Sequence, residues 1–312
     1  MRRSELPGVG RARPPASCPA TVGTARNHTV LRAEGMPLSP AQFRTATAAA
    51  TDVGRRRTGN EDCFSLWTAD GGQPQAADTL LVVCDGMGGS NAGEIASRMA
   101  VDTVVREIAA AAPDDTATAL ARAVQTANTE IFEYSRTHAD LNGMGTTCTV
   151  LALHGDGVLV AHVGDSRAYL VRGHHARQIT TDHSLVAQLV ARQQLTPEEA
   201  RHDPRRNVVT RSVGVAPEVE VDVIAVGEPL HDGDTLVVCS DGLHGQMSDS
   251  EIASLAVSTS LDDACRDLIA LANERGGPDN ITVALARFSR TGGRRRKGLG
   301  RWLRTLGGRR DT

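Results

Sequence analysis

Apolar residues along the chain form two kinds of run, short continuous runs and longer runs with helical spacing. The short runs are bounded by turn residues and predict β-strands. They cover Thr79–Cys84, Thr146–Leu153, Val158–Val163, Ala168–Val171, Val219–Val226, Thr235–Ser240 and Ile281–Phe288. The longer runs predict helices at about Ala92–Ala112, Thr116–Thr137 and Leu261–Arg275.

Turn and capping residues mark the ends of several predicted elements. The segment His154–Gly157 predicts a hairpin turn between two strands. Thr196 with Glu199, and Ser248 with Glu251, have the spacing of capping boxes and predict helix starts. Strands and helices do not alternate regularly, which favours antiparallel sheets flanked by helices. The pattern therefore predicts an α+β fold with room for two layers of sheet.

Charge is distributed unevenly between the ends and the middle of the chain. Residues 1–46 carry seven Arg against two Glu and show no periodicity, so we expect a disordered basic segment. Residues 290–312, a basic C-terminal tail, carry eight Arg and one Lys against one Asp. Since the whole chain has a net charge of −3, the predicted domain at 47–289 is strongly acidic. Such a body should not bind nucleic acid, and it should repel phosphate unless bound cations reverse the local field.

Cysteine usage and hydropathy bear on the cellular location. The six cysteines form no CxxC pair, and we interpret them as buried small apolar residues in a reducing cytosol: Cys18, Cys63, Cys84, Cys148, Cys239 and Cys265. No stretch approaches the roughly 20 apolar residues of a membrane span, and the N-terminus lacks the apolar region of a secretory signal. We therefore expect a cytoplasmic protein.

Five short acidic motifs lie at or beside the ends of predicted strands. Asp-Gly alone is more often a simple turn, and we interpret Asp156-Gly157 and Asp232-Gly233 in that way. Five strand-end aspartates in one domain instead favour a site for hard divalent cations, which prefer oxygen ligands. Zinc is a poorer candidate because no His/Cys cluster has ligand spacing. The motifs are Asn60-Glu61-Asp62, Asp85-Gly86, Gly164-Asp165-Ser166-Arg167, Ser240-Asp241-Gly242 and Pro278-Asp279-Asn280.

A series of motifs between about Thr47 and Phe288 closely resembles the bacterial branch of the metal-dependent type 2C (PPM) serine/threonine protein phosphatases. Eight motifs in the family's order make the resemblance specific. They are Arg57-Thr58-Gly59-Asn60-Glu61-Asp62, Val83-Cys84-Asp85-Gly86-Met87-Gly88-Gly89, Gly143-Met144-Gly145-Thr146-Thr147, Val163-Gly164-Asp165-Ser166-Arg167, Thr181-Asp182-His183-Ser184, Thr210-Arg211-Ser212-Val213-Gly214, Cys239-Ser240-Asp241-Gly242-Leu243 and Pro278-Asp279-Asn280-Ile281-Thr282-Val283.

The resemblance implies a four-layer α-β-β-α sandwich, two antiparallel sheets flanked by helix pairs, with two Mn²⁺ or Mg²⁺ ions at one end. It implies that Asp85 bridges both ions, that the Gly86 carbonyl binds one, and that Asp241 and Asp279 hold the other. Asp62, with Glu61 beside it, would bind or orient metal-bound waters. Asp165 together with Asp241 matches a third, weaker metal site. Arg57 matches the arginine that clamps the substrate phosphate, a task suited to its planar, permanently charged fork.

Three positions leave the proton donor for the leaving oxygen unassigned. Animal members of the family carry a His directly after the Asp-Gly pair, whereas this chain has Met87. His183 is either a donor or a structural residue that braces a loop. His162 lies inside a predicted strand, and we interpret it as a hydrogen-bonded core residue.

Two arginine-containing segments have open interpretations. Residues 184–206 fall where the family has a variable flap, and their arginines either meet acidic or phosphorylated substrates or are solvated. In the C-terminal tail, Leu299, Trp302, Leu303 and Leu306 have helical spacing, with Arg301 and Arg304 opposite. Weak contact with an anionic membrane or a partner is therefore a hypothesis for the tail, although four nearby glycines favour disorder. Liposome association of the intact chain, compared with a chain lacking 290–312, tests it.

The functional expectation is a monomeric enzyme that removes phosphate from Ser and Thr of proteins by a metal-activated water. Its expected partners are phosphorylated proteins, including a bacterial Ser/Thr kinase that it opposes and the substrates of that kinase. One alternative is a catalytically silent relative that binds phosphoproteins as a regulatory module. Another is a phosphatase for small phosphorylated metabolites, which would use the same metal site.

Overall fold

The strands and helices follow one another in an irregular order, as the apolar pattern predicts. The computed structural model describes residues 29–34, 43–69, 75–89, 91–112, 115–155, 157–258 and 260–290. The strands are β1 (Thr29–Glu34), β2 (Phe43–Asp52), β3 (Asp62–Thr68), β4 (Thr79–Met87), β5 (Gly145–Thr146), β6 (Cys148–His154), β7 (Gly157–Val163), β8 (Arg167–Arg172), β9 (His175–Gln178), β10 (Asp222–Ala225), β11 (Thr235–Cys239) and β12 (Ile281–Arg290). The helices are α1 (Ala92–Ala110), α2 (Thr116–Thr137), α3 (Leu185–Ala191), α4 (Pro197–His202), α5 (Asp241–His244), α6 (Asp249–Ala256) and α7 (Leu261–Glu274).

The strands form two antiparallel sheets. Sheet 1 has the order β1-β2-β12-β11-β8-β9, and sheet 2 has the order β10-β7-β6-β4-β3, with the short β5 paired to β4. Chain neighbours are hairpin partners in several cases, such as β3 with β4 and β6 with β7. The strands β2 and β12 are far apart in sequence, yet they pair over ten residues from Asp52↔Ile281 to Phe43↔Arg290.

Strand β4 shows how the four layers are held together. Its residues Leu80, Val82 and Cys84 pack with α1 and α2 in one apolar cluster, whereas Leu81 and Val83 face sheet 1 in another. Because both faces are covered, the strand reads as a continuous apolar run. A third cluster joins sheet 1 to α6 and α7. The order of layers is helices, sheet 2, sheet 1, helices, which confirms the predicted fold class.

Several predicted element bounds are confirmed closely. Helix α2 covers the predicted range, and both capping boxes form at the starts of α4 and α6. Other bounds move by a few residues: α1 ends at Ala110, β4 continues to Met87, and β10 is limited to Asp222–Ala225. Strand ends of this kind depend on ladder partners rather than on local apolarity.

The expected domain boundary at Thr47 falls inside β2. Residues 29–34 and 43–46, which composition predicts to be disordered, are strands that pair with each other. Strand β2 is rich in Ala and Thr, so its own propensity is weak. It is stabilised by its long ladder with β12 and by burial of Ala48 and Ala50 beneath the helices of sheet 1.

Some expectations lie outside the described residues. These include the C-terminal tail beyond Arg290, Cys18, and the Asp156 turn position. The other five cysteines are free and buried, as predicted. Within the described part of the chain, no helix is both long enough and apolar enough to cross a bilayer.

Candidate active site and metal centre

A cleft of about 570 Å³ opens at one end of the two sheets. Its walls come from the loops before β3 and β12, the loops after β4 and β7, and the start of α5. The lining residues are Arg57, Thr58, Gly59, Asn60, Glu61, Asp85, Gly86, Met87, Gly88, Gly89, Asn91, Glu94, Thr147, Asp165, Asn207, Val209, Asp241 and Asp279.

Asp62 and Asp85 lie opposite each other on the neighbouring strands β3 and β4. The backbone of Asp85 is fixed by Thr147, whose hydroxyl accepts a hydrogen bond from the Asp85 amide at 2.9 Å and whose amide donates to the Asp85 carbonyl at 2.8 Å. Asp62 is buried beneath the cleft, and its Oδ2 accepts a hydrogen bond from Ser240 Oγ at 2.7 Å. Sheet 2 thus presents Asp85 to the cleft, with Asp62 behind it.

The other three aspartates come from loops and helix starts around the same cleft. Asp241 is the first residue of α5 and follows β11 after Ser240, and Asp279 precedes β12. Asp165 lies in the short loop between β7 and β8, and therefore at the junction of the two sheets. All the sequence-predicted site residues except Asp62 line the cleft. Asp62 lies next to one of the lining residues, its ladder partner Asp85.

The carboxylates raise one another's pKa values. Burial, followed by the charges of Asp62, Asp241, Asp165 and Asp279, raises the pKa of Asp85 well above its usual value. Burial raises the pKa of Asp62 to about 7 and, with the charge of Asp279, that of Asp241 to about 6. The pKa of Asp165 is raised to about 7 by burial and by Asp241. Such a cluster is a region of concentrated negative charge that a cation would stabilise.

Arg57 also lines the cleft and is paired with Asp279 of this cluster. Its Nη2 donates a hydrogen bond to Asp279 Oδ2 at 2.9 Å, and its Nη1 lies 3.7 Å from Glu61 Oε2. The hydrogen bond with Asp279 raises the pKa of Arg57 further, so the guanidinium stays charged. The side chain is 48% exposed, which leaves donor groups available to a ligand in the cleft.

Gly86 allows a close approach of backbone that no other residue would permit. A Cβ at this position would lie 2.1 Å from the Gly93 carbonyl oxygen and 2.6 Å from that of Glu61. The Gly86 amide also donates to the Glu61 carbonyl at 3.1 Å. The end of β4 is therefore pressed against the start of α1 and the strand-β3 loop.

Asn280 belongs to one of the acidic motifs, and its role at the site becomes clear only in the structure. Its Nδ2 donates to the carbonyls of Val53 and Gly59, both at 2.9 Å, and its Oδ1 accepts from the Glu61 amide at 2.8 Å. These three bonds hold both ends of the loop that carries Arg57. The only sequence signal for this role is that Asn280, an uncharged polar residue, directly follows the candidate ligand Asp279.

The donor set of the cleft fits a hard divalent cation. The described lining contains carboxylate and carbonyl oxygens but no His or Cys, and Oδ1 of Asp62 and of Asp241 are buried without a hydrogen-bond donor. Within the described residues, no three His, Cys, Asp or Glu side chains converge as a closed metal cage. Asp279 turns toward Arg57 and Asp62 toward Ser240. An open set of this kind suits Mg²⁺ or Mn²⁺, which keep several waters and meet phosphate oxygens.

The three positions considered for proton transfer have clear surroundings. Met87 lines the cleft and offers no proton. His162 is fully buried, and its ring lies 3.0 Å from the Thr149 hydroxyl and 3.2 Å from the Thr181 carbonyl, as expected for a core residue. His183 is 8% exposed, does not line the cleft, and contacts the loop that carries Asp165.

The flap, residues 184–206, contains α3 and α4 and stands beside the cleft. Its return segment contributes Asn207 and Val209 to the lining. Arg205 is paired with Asp203 through two hydrogen bonds. Arg206 is exposed, and its charge lowers the pKa of Asp241, although less than burial and Asp279 raise it. Of the flap arginines, Arg206 therefore acts on a carboxylate of the cleft.

Comparison with known proteins decides the family. The profile of the family described as "Protein phosphatase 2C" matches residues 55–286, which include every candidate site residue. This chain belongs to the protein phosphatase 2C family. Members of the family are metal-dependent, in agreement with the oxygen-lined cleft.

Several relatives of this type 2C phosphatase domain are bacterial proteins. The serine/threonine phosphatase stp of Listeria monocytogenes is 40% identical over 240 residues, which cover 75% of this chain and 92% of that protein. The serine/threonine phosphatase structure from S. agalactiae has a TM-score of 0.71 and 40% identity, covering 78% of this chain and 99% of that one. The catalytic domain of the phosphatase PstP, solved with two manganese ions, has a TM-score of 0.68 and 33% identity, covering 80% and 99%.

Proposed function

We propose that the cleft of this type 2C phosphatase hydrolyses phosphoserine and phosphothreonine in proteins with divalent cations held by its aspartates. The observation that supports this most is a single cleft lined by four strand-end aspartates and an exposed arginine, with Asp62 next to Asp85 on the neighbouring strand. The names of the relatives agree, since they are serine/threonine phosphatases. The presence of every expected ligand residue in the sequence supports the enzyme over a silent binding module.

The proposed ligand roles are those that the family resemblance implies, and the lining of the cleft supports them. Asp85 and the Gly86 carbonyl lie at the end of β4 and line the cleft together with Asp241 and Asp279, so we propose that Asp85 would be shared by two ions. Asp62, the ladder partner of Asp85, and Glu61 are proposed to orient coordinated waters. Asp165 with Asp241 is proposed to hold a third ion. We propose Mn²⁺ or Mg²⁺, and the PstP structure contains two manganese ions.

When bound, such cations lower the pKa of coordinated water and offset the charge of the phosphate. Arg57 would hold the phosphate, since its half-exposed side chain lines the cleft while Asp279 fixes its position. A bound cation would favour the charged forms of Asp62 and Asp85, whose pKa values burial and neighbouring carboxylates raise. The described lining contains no His, Cys, Tyr or Lys, so none of these side chains protonates the leaving oxygen there.

Partners and location follow as proposals from the same reasoning. The substrates are phosphorylated proteins, and a Ser/Thr kinase that modifies them is the activity this enzyme opposes. The five free, buried cysteines support action in a reducing compartment, the cytoplasm. The tail contact with a membrane or partner remains a prediction, as does the monomeric state.

Phosphate release from a phosphothreonine peptide by Asp241→Asn, compared with Asp232→Asn, tests the proposal. Both substitutions remove one carboxylate charge next to a glycine, but Asp232 lies in an exposed turn, where it accepts a hydrogen bond from the Arg290 amide. We expect a loss of about 100-fold or more for Asp241→Asn, because several kcal/mol of charge stabilisation is lost, and near-normal activity for Asp232→Asn.

Equal activity of the two variants would contradict the assigned site. A folded wild-type protein without activity would favour the binding module instead. A small phosphate ester that outcompetes the phosphopeptide would favour the metabolite phosphatase.

A further inference from the structure

His183 lies between β9 and the flap, and its backbone closes the base of the flap. Its carbonyl accepts a hydrogen bond from the Thr210 amide at 2.7 Å. The next residues continue this contact, since the Leu185 amide donates to the Val208 carbonyl at 2.8 Å. Val209, which lies between these partners, lines the cleft. The position of His183 is therefore tied to one wall of the cleft.

The same residue clamps the loop that carries Asp165. The His183 amide donates to the Gly164 carbonyl at 2.7 Å, and the Gly164 amide donates to the ring Nδ1 at 3.0 Å. Gly164 has a φ of +115°, and a Cβ there would lie 2.6 Å from the Thr147 side chain. Gly164 is thus held between Thr147 and His183, directly before Asp165, whose own carbonyl lies 2.9 Å from His244 Nε2.

The hydrogen bonds fix the tautomer of the ring. Because Nδ1 accepts from a backbone amide, the proton of the neutral ring is on Nε2, which donates to Asp222 Oδ2 at 3.1 Å. Arg211 Nη1 lies 3.0 Å from Nε2 and donates to Asp222 Oδ1 at 2.6 Å. Burial lowers the pKa of His183, and the charge of Arg211 adds to this effect against the opposing Asp222. The ring is held neutral and oriented from both sides.

We propose that His183 is a positioning residue that couples the base of the flap to Asp165, so that the flap and the third cation site keep a fixed relation. The inference rests on the proposed function of the cleft for its catalytic consequence. The coupling itself is a property of the Gly164–His183 clamp. A histidine that only filled space would not need an acceptor aimed at the Gly164 amide.

Two substitutions by amide residues distinguish the role of the ring Nδ1 from that of Nε2. His183→Asn places an oxygen near the position of Nδ1 and keeps an acceptor for Gly164, whereas His183→Gln places an amide near Nε2 and keeps a donor for Asp222. The probe is Mn²⁺ alone, with bound ions counted by electron paramagnetic resonance in the full chain. Asp165→Asn serves as the reference for a lost third site.

We expect His183→Gln to weaken the last Mn²⁺ to bind by roughly five- to tenfold, the cost of one hydrogen bond, toward the behaviour of Asp165→Asn. His183→Asn should bind Mn²⁺ within about twofold of wild type, a change too small to represent a lost hydrogen bond. The midpoint temperature of thermal unfolding should fall to a similar extent in both variants, since each loses one ring hydrogen bond. Equal Mn²⁺ binding by the two variants would overturn the proposal, because the ring would then serve stability only.

A wild-type measurement keeps the test independent of whether the variants fold. The ¹⁵N resonances of the ring should show a deprotonated Nδ1 and a protonated Nε2, and the opposite tautomer would overturn the clamp. Peptide dephosphorylation is measured in parallel. If the wild-type protein has no activity but the two His183 variants still differ in Mn²⁺ binding as expected, the proposed function is contradicted and the coupling is supported.

Discussion

The side chain of Asn280 connects the loop before β12 to the loop before β3. Its amide reaches the carbonyls of Val53 and Gly59, and its oxygen receives the amide of Glu61. Arg57 lies inside the loop so enclosed, and Asp279 precedes Asn280 directly. The pairing of Arg57 with Asp279 at 2.9 Å therefore depends on Asn280, whose backbone amide also donates to Asp279 Oδ1 at 2.8 Å.

Replacing Asn280 by Ala should reduce both stability and catalysis. Three hydrogen bonds are lost, so the free energy of unfolding should fall by about 2 kcal/mol or more. Catalytic efficiency toward a phosphopeptide should fall at least about tenfold, because Arg57 is no longer held within the tolerance that catalysis requires. Steady-state kinetics and denaturant unfolding of the same preparation measure the two effects.

Asn128→Ala is the matched control for Asn280→Ala. Asn128 is also buried and also makes three hydrogen bonds, to Gly214, Ala216 and Pro217, but it does not line the cleft. It should lose similar stability with little loss of activity per folded molecule. Parallel losses of activity in the two variants would show that Asn280 acts through stability alone.

The sequence predicts which residues form the site better than it predicts the contacts between them. The five aspartates stand out because each lies next to a turn at the end of an apolar run. The roles of Ser240, Thr147 and Asn280 depend on strands that meet only in the folded chain, such as β11 with β12. No local pattern distinguishes these polar residues from ordinary turn residues.

At the level of elements, the contact between the end of β4 and the start of α1 shapes the floor of the cleft. Gly86 is enclosed there by the carbonyls of Gly93 and Glu61, whereas Gly89 in the same loop has open space around its Cα. The two glycines are three residues apart and differ in what surrounds them. Substituting each glycine by Ala therefore distinguishes the effect of a steric clash, at Gly86, from the effect of reduced backbone freedom alone, at Gly89.

Gly86→Ala should lower the free energy of unfolding by about 2 kcal/mol or more, because the new methyl group cannot be accommodated without moving backbone. Gly89→Ala should change it by less than about 0.5 kcal/mol. Thermal or urea unfolding measures both. Similar stabilities for the two variants would mean that α1 does not press on β4 as described.

The flap adds a cationic element to a cleft made of carboxylates. Arg206→Glu should raise the KM for a phosphopeptide several-fold, because a negative charge would then repel phosphate close to Asp241. The effect should shrink as salt is added. Arg192→Glu makes the same charge change on the exposed end of α3 and should have little effect. If both raise KM equally, only the overall charge of the flap matters.

The elements most visible in the sequence were the helices α1, α2 and α7 and the apolar strands β4, β6, β7, β11 and β12. Strand β2 is not predicted because Ala and Thr give little apolar signal. Strand β3 begins at Asp62, a residue whose motif indicates chemistry rather than a strand. For these two strands the ladder partners, β12 and β4, determine the element more than the local sequence does. Helix α3 is not predicted because its segment falls in the variable flap.

At the scale of the whole molecule, two sheets supply complementary parts of one site. Sheet 2 brings Asp62 and Asp85, and sheet 1 brings Asp241 and Asp279, with Asp165 at the crossing between them. The body that carries them is strongly acidic, while its ends are basic. The approach of a phosphorylated substrate therefore depends on cations that reverse the field in the cleft.

The four-layer architecture itself followed from the resemblance rather than from periodicity, which predicted only antiparallel sheets with helices. Periodicity identifies which faces are buried but not which strands are neighbours. The pairing of β2 with β12, more than 200 residues apart, illustrates what it leaves open.

Phosphate release from a phosphothreonine peptide by the wild-type protein, before chelation, after EDTA and after Mn²⁺ or Mg²⁺ is restored, tests the central claim most directly. Circular dichroism at each stage shows whether the fold is kept. We predict activity that disappears with EDTA and returns with the cation while the fold is unchanged. Activity that survives complete removal of metal, or a folded protein inactive with every divalent cation, would contradict the account.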